Sequence, residues 1–206
     1  IRETQSANLI EGAYAIARTV ENGGQCWSNW DMGHNYSYDL YDDRNGEPEI
    51  FKVGYDEKVS KPGDLFLVSL YGGKWDDILA KKIFVIGGPA PHMADNIGDE
   101  ELREDVKSWD TRPYSNLRIE TFVTRQGAIM EIPGSEVKAG PVSGIVGMTT
   151  FWMMMSDACR ILARNGHPVS VKGDEPSLKN DPVPDWDVNA KVSFNDTLMD
   201  NYFDRS

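Results

Sequence analysis

The chain contains few of the residues from which disulfide frameworks and metal centres are built. Its 206 residues include two cysteines and three histidines. Two cysteines are too few for a disulfide scaffold, and the scattered histidines lack the spacing of a zinc site. Cys26 and Cys159 each lie in an apolar run, which is typical of reduced, buried thiols. We therefore expect a cytoplasmic protein with no structural disulfide and no bound metal.

Positive charge is also scarce. The 21 Lys and Arg residues against 33 Asp and Glu residues give 21 − 33 = −12. A chain this acidic has no long-range field that would attract nucleic acid or anionic lipid. Small anionic ligands stay compatible with this charge, because a helix N-terminus reverses the potential locally. We therefore expect a small-molecule partner, with no nucleic acid and no membrane.

Long uncharged runs and cofactor motifs are nearly absent. The longest stretch without a charge, residues 139–156, contains Pro141 and ends at Asp157, which favours a buried helix over a membrane span. The sequence has no Walker loop, no GxGxxG fingerprint and no nucleophile elbow. We therefore expect no cofactor.

The elements that are present alternate between strands and helices. Short apolar runs predict strands at residues 25–30, 50–53, 65–69, 83–86, 117–124 and 128–132. Helical spacing of apolar residues predicts helices at residues 2–22, 74–81 and 144–165. This rhythm is typical of a three-layer α/β fold, a parallel sheet with helices on both faces. Residues 1–170 would form this domain, and the polar, Pro-rich residues 171–206 would form an arm that packs on it or on a dimer partner.

Ligands of such folds bind outside the carboxyl ends of the strands, where glycine lets the backbone approach an anion. Two loops of this kind follow predicted strands. The candidate substrate-binding residues are Asp31, Gly33 and Asn35 in the first loop, Ser69, Tyr71, Gly72, Gly73 and Lys74 in the second, and Ser143 at the start of the long helix. Tight turns and an N-capping serine explain the same residues without a ligand.

Two residues are candidates for proton transfer. His34 lies in the first loop, and Glu131 ends an otherwise apolar strand. A carboxylate or imidazole of this kind is what proton abstraction beside a sugar carbonyl requires. A capping histidine and a salt bridge at the sheet edge are the alternatives for these two positions.

The order of several short motifs resembles the sugar isomerase (SIS) domain. The similar segments are residues 3–8, Gly23-Gly24, Gly33-His34, residues 61–64, the strand ending in Glu131, and Gly140-Pro141 with Ser143. The Gly-His pair makes the chain more similar to one bacterial branch of that family. The resemblance covers most of residues 3–166.

This resemblance implies a five-stranded parallel sheet flanked by helices, with flavodoxin-like topology, in a homodimer. It also implies a sugar or sugar-phosphate ligand and, for some members, aldose–ketose isomerisation through an enediol. We therefore expect a sugar or sugar-phosphate isomerase that uses Glu131 and His34. The alternative is a non-catalytic sugar-binding module, a sensor or degenerate paralogue that acts through protein partners.

One motif departs from the family pattern. The phosphate loop of the family is rich in Ser and Thr, whereas this chain has Leu70 and Tyr71 between Ser69 and Gly72. Aromatic rings match the C–H faces of sugars, so Tyr71 and Trp30 favour stacking on an unphosphorylated sugar.

Overall fold

The computed structural model describes residues 4–29, 48–68, 74–88, 111–121, 128–167 and 169–170. The chain divides into two units, Ile1–Lys172 and Gly173–Ser206. Every described residue lies in the first unit, so the expected arm at residues 171–206 lies outside the described part of the chain.

Five parallel strands form the central sheet. They are β1 (Cys26–Ser28), β2 (Phe51–Val53), β3 (Leu65–Val68), β4 (Phe84–Gly87) and β5 (Leu117–Arg118). Their order in the sheet is β2-β1-β3-β4-β5, and each neighbouring pair is parallel. This confirms the predicted parallel α/β sheet, and the order is that of a flavodoxin-like doubly wound fold.

Helices cover both faces of this sheet. They are α1 (Ser6–Glu21), α2 (Trp75–Ala80) and α3 (Ser143–Arg164). Leu65 and Leu67 point to α1 and α3, whereas Phe66 points to α2. Because successive residues of a strand face opposite sides, the apolar run of β3 is buried on both faces. The fold therefore has three layers, as predicted.

The layer of α1 and α3 forms the larger core. The two helices approach closely, since a Cβ atom on Gly12 would lie 2.6 Å from Met154 Sδ. Asn165 Nδ2 donates a hydrogen bond of 2.6 Å to Glu21 Oε1, which joins the C-terminal ends of the two helices. The helices are therefore parallel, and their N-termini lie toward the same edge of the sheet.

A buried carboxylate ties β1 to β3 at the amino edge of the sheet. Asp64 is 1% exposed. Its Oδ1 accepts the Gln25 N–H at 2.9 Å, and its Oδ2 accepts Trp27 Nε1–H at 2.8 Å and the Lys61 N–H at 3.0 Å. Hydrogen bonds to an ionised group are the strong ones, so three of them offset the cost of burying the charge.

A second, smaller sheet lies between β5 and α3 in the sequence. β6 (Ala128–Met130) pairs with β7 (Ala139–Pro141) as an antiparallel hairpin. The strand predicted at residues 128–132 therefore exists, but among the described strands it pairs only with β7. The structure also differs from the sequence prediction at the start of α3, because Val142 is the N-cap and Ser143 is the first helical residue.

Replacing Asp64 tests the link between β1 and β3. Asp64→Ala leaves three N–H donors without their acceptor, so we expect the free energy of unfolding to fall by at least about 3 kcal/mol. Urea unfolding followed by circular dichroism measures this change.

Asp76→Ala is the matched control, because Asp76 is exposed in the first turn of α2. We expect this control to stay within about 1 kcal/mol of the parent protein. Equal losses in the two variants would contradict the assigned role of Asp64.

Candidate functional site

The strand order creates a switch point between β1 and β3. From β1 the chain moves to β2 on one side, and from β2 it crosses to β3 on the other side. In parallel sheets the crevice at the carboxyl ends of two such strands is the usual ligand site. Ser28 near the end of β1 lies in register with Leu67 of β3, so the segments that leave these strands start side by side.

The two loops singled out in the sequence are the segments that follow these strand ends. Most of their candidate residues lie outside the described part of the chain, namely Asp31, Gly33, His34, Asn35, Ser69, Tyr71, Gly72 and Gly73. The structure describes Lys74 and Glu131 in full and the backbone position of Ser143. The topology thus brings together the starting points of both loops.

The N-termini of α1 and α3 lie at this same edge. The Glu120 N–H donates to Gln5 Oε1 at 2.9 Å, and Asn8 Nδ2 donates to the Arg118 carbonyl at 3.1 Å. These bonds hold the first turn of α1 against the carboxyl end of β5. Because α3 runs parallel to α1, Ser143 at its start also lies toward the carboxyl edge. The positive end of a helix dipole favours anions and oxygen-rich ligands there.

Ser28 is a polar residue of this edge that the sequence did not single out. Its side chain is fully buried, and its Oγ has no hydrogen-bond partner among the described residues. An unpartnered buried hydroxyl costs free energy unless a ligand or water satisfies it. The only signal in the sequence is a serine inside an apolar strand, which many structural serines share.

Trp75 presents a second unpartnered polar atom at the same edge. Its Nε1 is buried without a described partner at the start of α2, directly after the loop that follows β3. The indole ring stacks on Tyr114, with 4.3 Å between the ring centroids and 8° between the planes. This stack fixes the orientation of the indole N–H.

Lys74 directly precedes Trp75 at the start of α2, and its side chain forms an ion pair. Its Nζ lies 2.6 Å from Glu57 Oε1, and both side chains are largely exposed. Exposed ion pairs of this kind contribute about 0–1 kcal/mol. An anionic ligand would therefore displace Glu57 at little cost.

Glu131 lies in the hairpin and not at the carboxyl ends of the central strands. Its side chain is 87% exposed, and its Oε1 lies 3.8 Å from Lys138 Nζ. It lies three positions after the buried Ala128, and three residues of extended chain span roughly 10 Å. This matches the salt-bridge alternative for Glu131, and no described contact links it to Ser28 or Trp75.

Burial shields the two cysteine thiols to different degrees. Burial raises the pKa of the Cys26 thiol far above its usual range and raises that of Cys159 to about 11. Both cysteines are free, Cys26 is buried and Cys159 is partly buried, and the raised pKa values favour the protonated thiols at neutral pH. Within the residues that the structure describes, no group of three or more His, Cys, Asp or Glu side chains is placed to hold a metal ion.

No protein-family model matches the chain, and a comparison with curated proteins found no significant match. Among the described helices, none combines the length and the apolar character that crossing a bilayer requires.

A phenol network beside the site joins the segment after β2 to α2. Tyr55 donates a hydrogen bond of 2.5 Å to Asp77 Oδ2 and accepts one of 2.8 Å from Ser60 Oγ. Lys81 Nζ lies 2.9 Å from Asp77 Oδ2. Burial, and then the bond to Asp77, raise the pKa of Tyr55 to about 12, while the bond from Tyr55 and then that from Lys81 lower the pKa of Asp77. The protonated phenol therefore acts as a fixed donor that orders this segment.

The raised pKa of Tyr55 predicts a loss of stability at high pH. The usual pKa is 10.0 and the folded value is about 12, so between these values the unfolded chain loses the phenolic proton while the folded protein keeps it. The free energy of unfolding therefore falls as the pH rises through this window.

Urea unfolding at several pH values between about 9 and 12, from roughly one unit below the usual tyrosine pKa to the folded value, measures this slope. Tyr55→Phe removes the titrating group, so we expect a shallower decline in this variant. Identical slopes in the two proteins would contradict the assignment.

Proposed function

We propose that this chain binds a sugar or sugar phosphate at the carboxyl edge of its sheet, beside the ends of β1 and β3. The observation that supports this most is the buried Ser28 hydroxyl at the switch point of the strand order, which has no partner in the described part of the chain. A polyol supplies hydroxyl groups that donate to and accept from such an atom.

The surrounding groups suit the same ligand. The Trp75 indole N–H donates to a sugar oxygen, and the positive end of α3 favours a hydroxyl oxygen or a phosphate. Lys74 binds an anionic ligand when its ion pair with Glu57 is replaced by one with the ligand. Aromatic rings at this edge, Trp75 and Tyr114, suit the C–H faces of a sugar ring.

The activity that we propose for this site is aldose–ketose isomerisation through an enediol, as the resemblance to SIS domains implies. A base removes the proton from C2 of the open-chain aldose, and its electron pair forms the C1–C2 double bond while the carbonyl oxygen takes up a proton. Return of a proton to C1, as the C2 hydroxyl becomes a carbonyl, completes the reaction. Backbone N–H groups at the loop and helix starts stabilise the developing oxyanion. Glu131 is the proposed base, and His34 is the proposed group for ring opening or for orienting the substrate.

The second candidate function is sugar binding without turnover, in a sensor or degenerate paralogue that acts through a protein partner. It is favoured by the position of Glu131, which is open to water on the hairpin and close to Lys138. A general base normally acts from a site that holds the substrate within hydrogen-bond reach. The two free thiols are compatible with the proposed cytoplasmic location for either function.

Binding is tested by isothermal titration with a free hexose and with its 6-phosphate. Ser28→Ala removes the buried hydroxyl, so we expect it to weaken binding of the preferred sugar about fivefold to tenfold. Trp75→Phe keeps the ring stack but removes the N–H, and we expect a loss of similar size.

Ser156→Ala is the matched control, since Ser156 is exposed on α3, and its affinity should equal that of the parent protein. Absence of binding to either sugar, or unchanged affinity in both site variants, would contradict the proposed site.

Catalysis is tested by proton exchange at C2 of a bound hexose 6-phosphate in heavy water. A true general base contributes about 10²–10⁴-fold, so Glu131→Gln should slow exchange at least a hundredfold if Glu131 is the base. The same measurement on His34→Gln tests the other candidate. Sugar binding without any exchange in the parent protein would favour the non-catalytic function.

A further inference from the structure

The starts of α2 and α3 both lie at the carboxyl edge of the sheet, but they differ in charge. Residues 139–156 contain no charged side chain, so no acidic group on this part of α3 counters the positive end of its dipole. The first turn of α2, in contrast, contains Asp76 and Asp77, and Lys74 before it pairs with Glu57. The start of α3 is therefore the more favourable of the two positions for an anion.

The backbone of α3 presents N–H donors at its start. The first N–H groups of any helix have no carbonyl partner within that helix. The Val146 N–H donates to the Val142 carbonyl oxygen at 2.9 Å, and the N–H groups of residues 143–145 precede this bond. Val142 is the N-cap, and its apolar side chain forms no capping bond. Adjacent N–H donors of this kind bind phosphate groups at helix starts in many proteins.

Ser28 is a second and independent indication of a ligand at this position. Its side chain is fully buried, and its Oγ has no hydrogen-bond partner among the described residues. Ser28 lies on the same face of β1 as Cys26, which belongs to the core under α1 and α3. The hydroxyl is therefore directed to the α3 side of the sheet, away from α2 and Lys74.

The level of Ser28 along the sheet matches the first turn of α3. Phe151 of α3 packs on Phe51 of β2, with 5.8 Å between the ring centroids, and Phe51 is in register with Cys26. Ser28 lies two residues from Cys26 toward the carboxyl edge, which is roughly 7 Å of strand. Val146 lies five residues from Phe151 in the same direction, which is roughly 7.5 Å of helix. The first turn of α3 therefore begins level with Ser28 and extends past the end of β1.

A phosphate group matches this set of donors. The N–H groups and the Ser28 hydroxyl donate, and the phosphate oxygens accept, so each bond is charge-assisted. A neutral sugar hydroxyl gains less from the positive end of the helix. The loop before α2 suits a phosphate less well, because Leu70 and Tyr71 stand where the SIS pattern has hydroxyl side chains.

We propose that the start of α3, and not the start of α2, is the main binding position for the phosphate of a sugar phosphate. The N–H groups of residues 143–145 and the Ser28 hydroxyl donate to its oxygens. This inference rests on the proposed sugar binding, since it names an anionic group of the ligand and the place of that group in the same site.

Titration of the full chain with a hexose and with its 6-phosphate isolates the contribution of the phosphate. We expect the parent protein to bind the 6-phosphate at least about tenfold more tightly than the hexose. Ile145→Glu places a carboxylate in the first turn of α3, where it favours the helix but repels an anion. We expect this variant to weaken binding of the 6-phosphate at least about fivefold and binding of the hexose less than about twofold. Ile145 is 69% exposed, so the core packing is kept.

Met153→Glu is the matched control, because Met153 is also exposed on α3 but lies eight residues, roughly 12 Å, farther from the helix start. We expect it to bind the 6-phosphate within about twofold of the parent protein. Lys74→Gln tests the rival position, since it lowers the net charge by the same amount as Ile145→Glu but at the start of α2. We expect a smaller loss of 6-phosphate affinity in Lys74→Gln than in Ile145→Glu.

The outcomes separate this inference from the proposed function. Equal affinity of the parent protein for the hexose and its 6-phosphate, or a larger loss in Lys74→Gln than in Ile145→Glu, would overturn the inference and leave sugar binding in place. Equal losses in Ile145→Glu and Met153→Glu would overturn it as well. Failure of the parent protein to bind either compound would contradict the proposed sugar binding, and this inference with it.

Discussion

The structure depends most on one buried carboxylate, that of Asp64. Its two oxygens accept three N–H donors from the segments that begin β1 and β3. A charge without these donors would be too costly to bury, so the two strand starts are held in a single alignment. Close backbone contact supports this alignment, because a Cβ atom on Gly24 would lie 2.4 Å from the Gly63 carbonyl oxygen. Alignment at the amino edge brings Ser28 level with Leu67 near the carboxyl edge. The hydrogen bonds of Asp64 at the amino edge therefore help to position the candidate site at the carboxyl edge.

The two edges of the sheet use polar groups in opposite ways. At the amino edge, Asp64 has every bond that it needs, and its role is to align the strands. At the carboxyl edge, Ser28 Oγ and Trp75 Nε1 are buried without described partners. Natural proteins rarely leave buried polar atoms unpaired, and an ordered water, an ion or a functional role explains many of the exceptions. This contrast, together with the switch point in the strand order, is the physical basis for placing the ligand at the carboxyl edge.

Much of the fold was predictable because its signals are local. The apolar runs at β3 and β4 are typical of strands buried on both faces, and the spacing of apolar residues in α1 and α3 is helical. The features that the sequence left open depend on pairing between distant residues. Nothing local separates β6, which pairs with β7 in a hairpin, from a strand of the central sheet. For the same reason the ion pair of Lys74 with Glu57 was not predictable, whereas a salt bridge was one of the two readings of Glu131, and Lys138 lies near it.

The sequence by itself determined the fold class, the acidic character and the two loops that follow β1 and β3, because composition and periodicity act through nearest neighbours along the chain. Only the tertiary structure decided which strands are adjacent, and hence that these loops start side by side. It also decided that the Ser28 hydroxyl is buried without a partner among the described residues, while Glu131 is open to water. Burial and pairing depend on residues that are far apart in sequence, and local sequence patterns do not predict which of these residues are in contact.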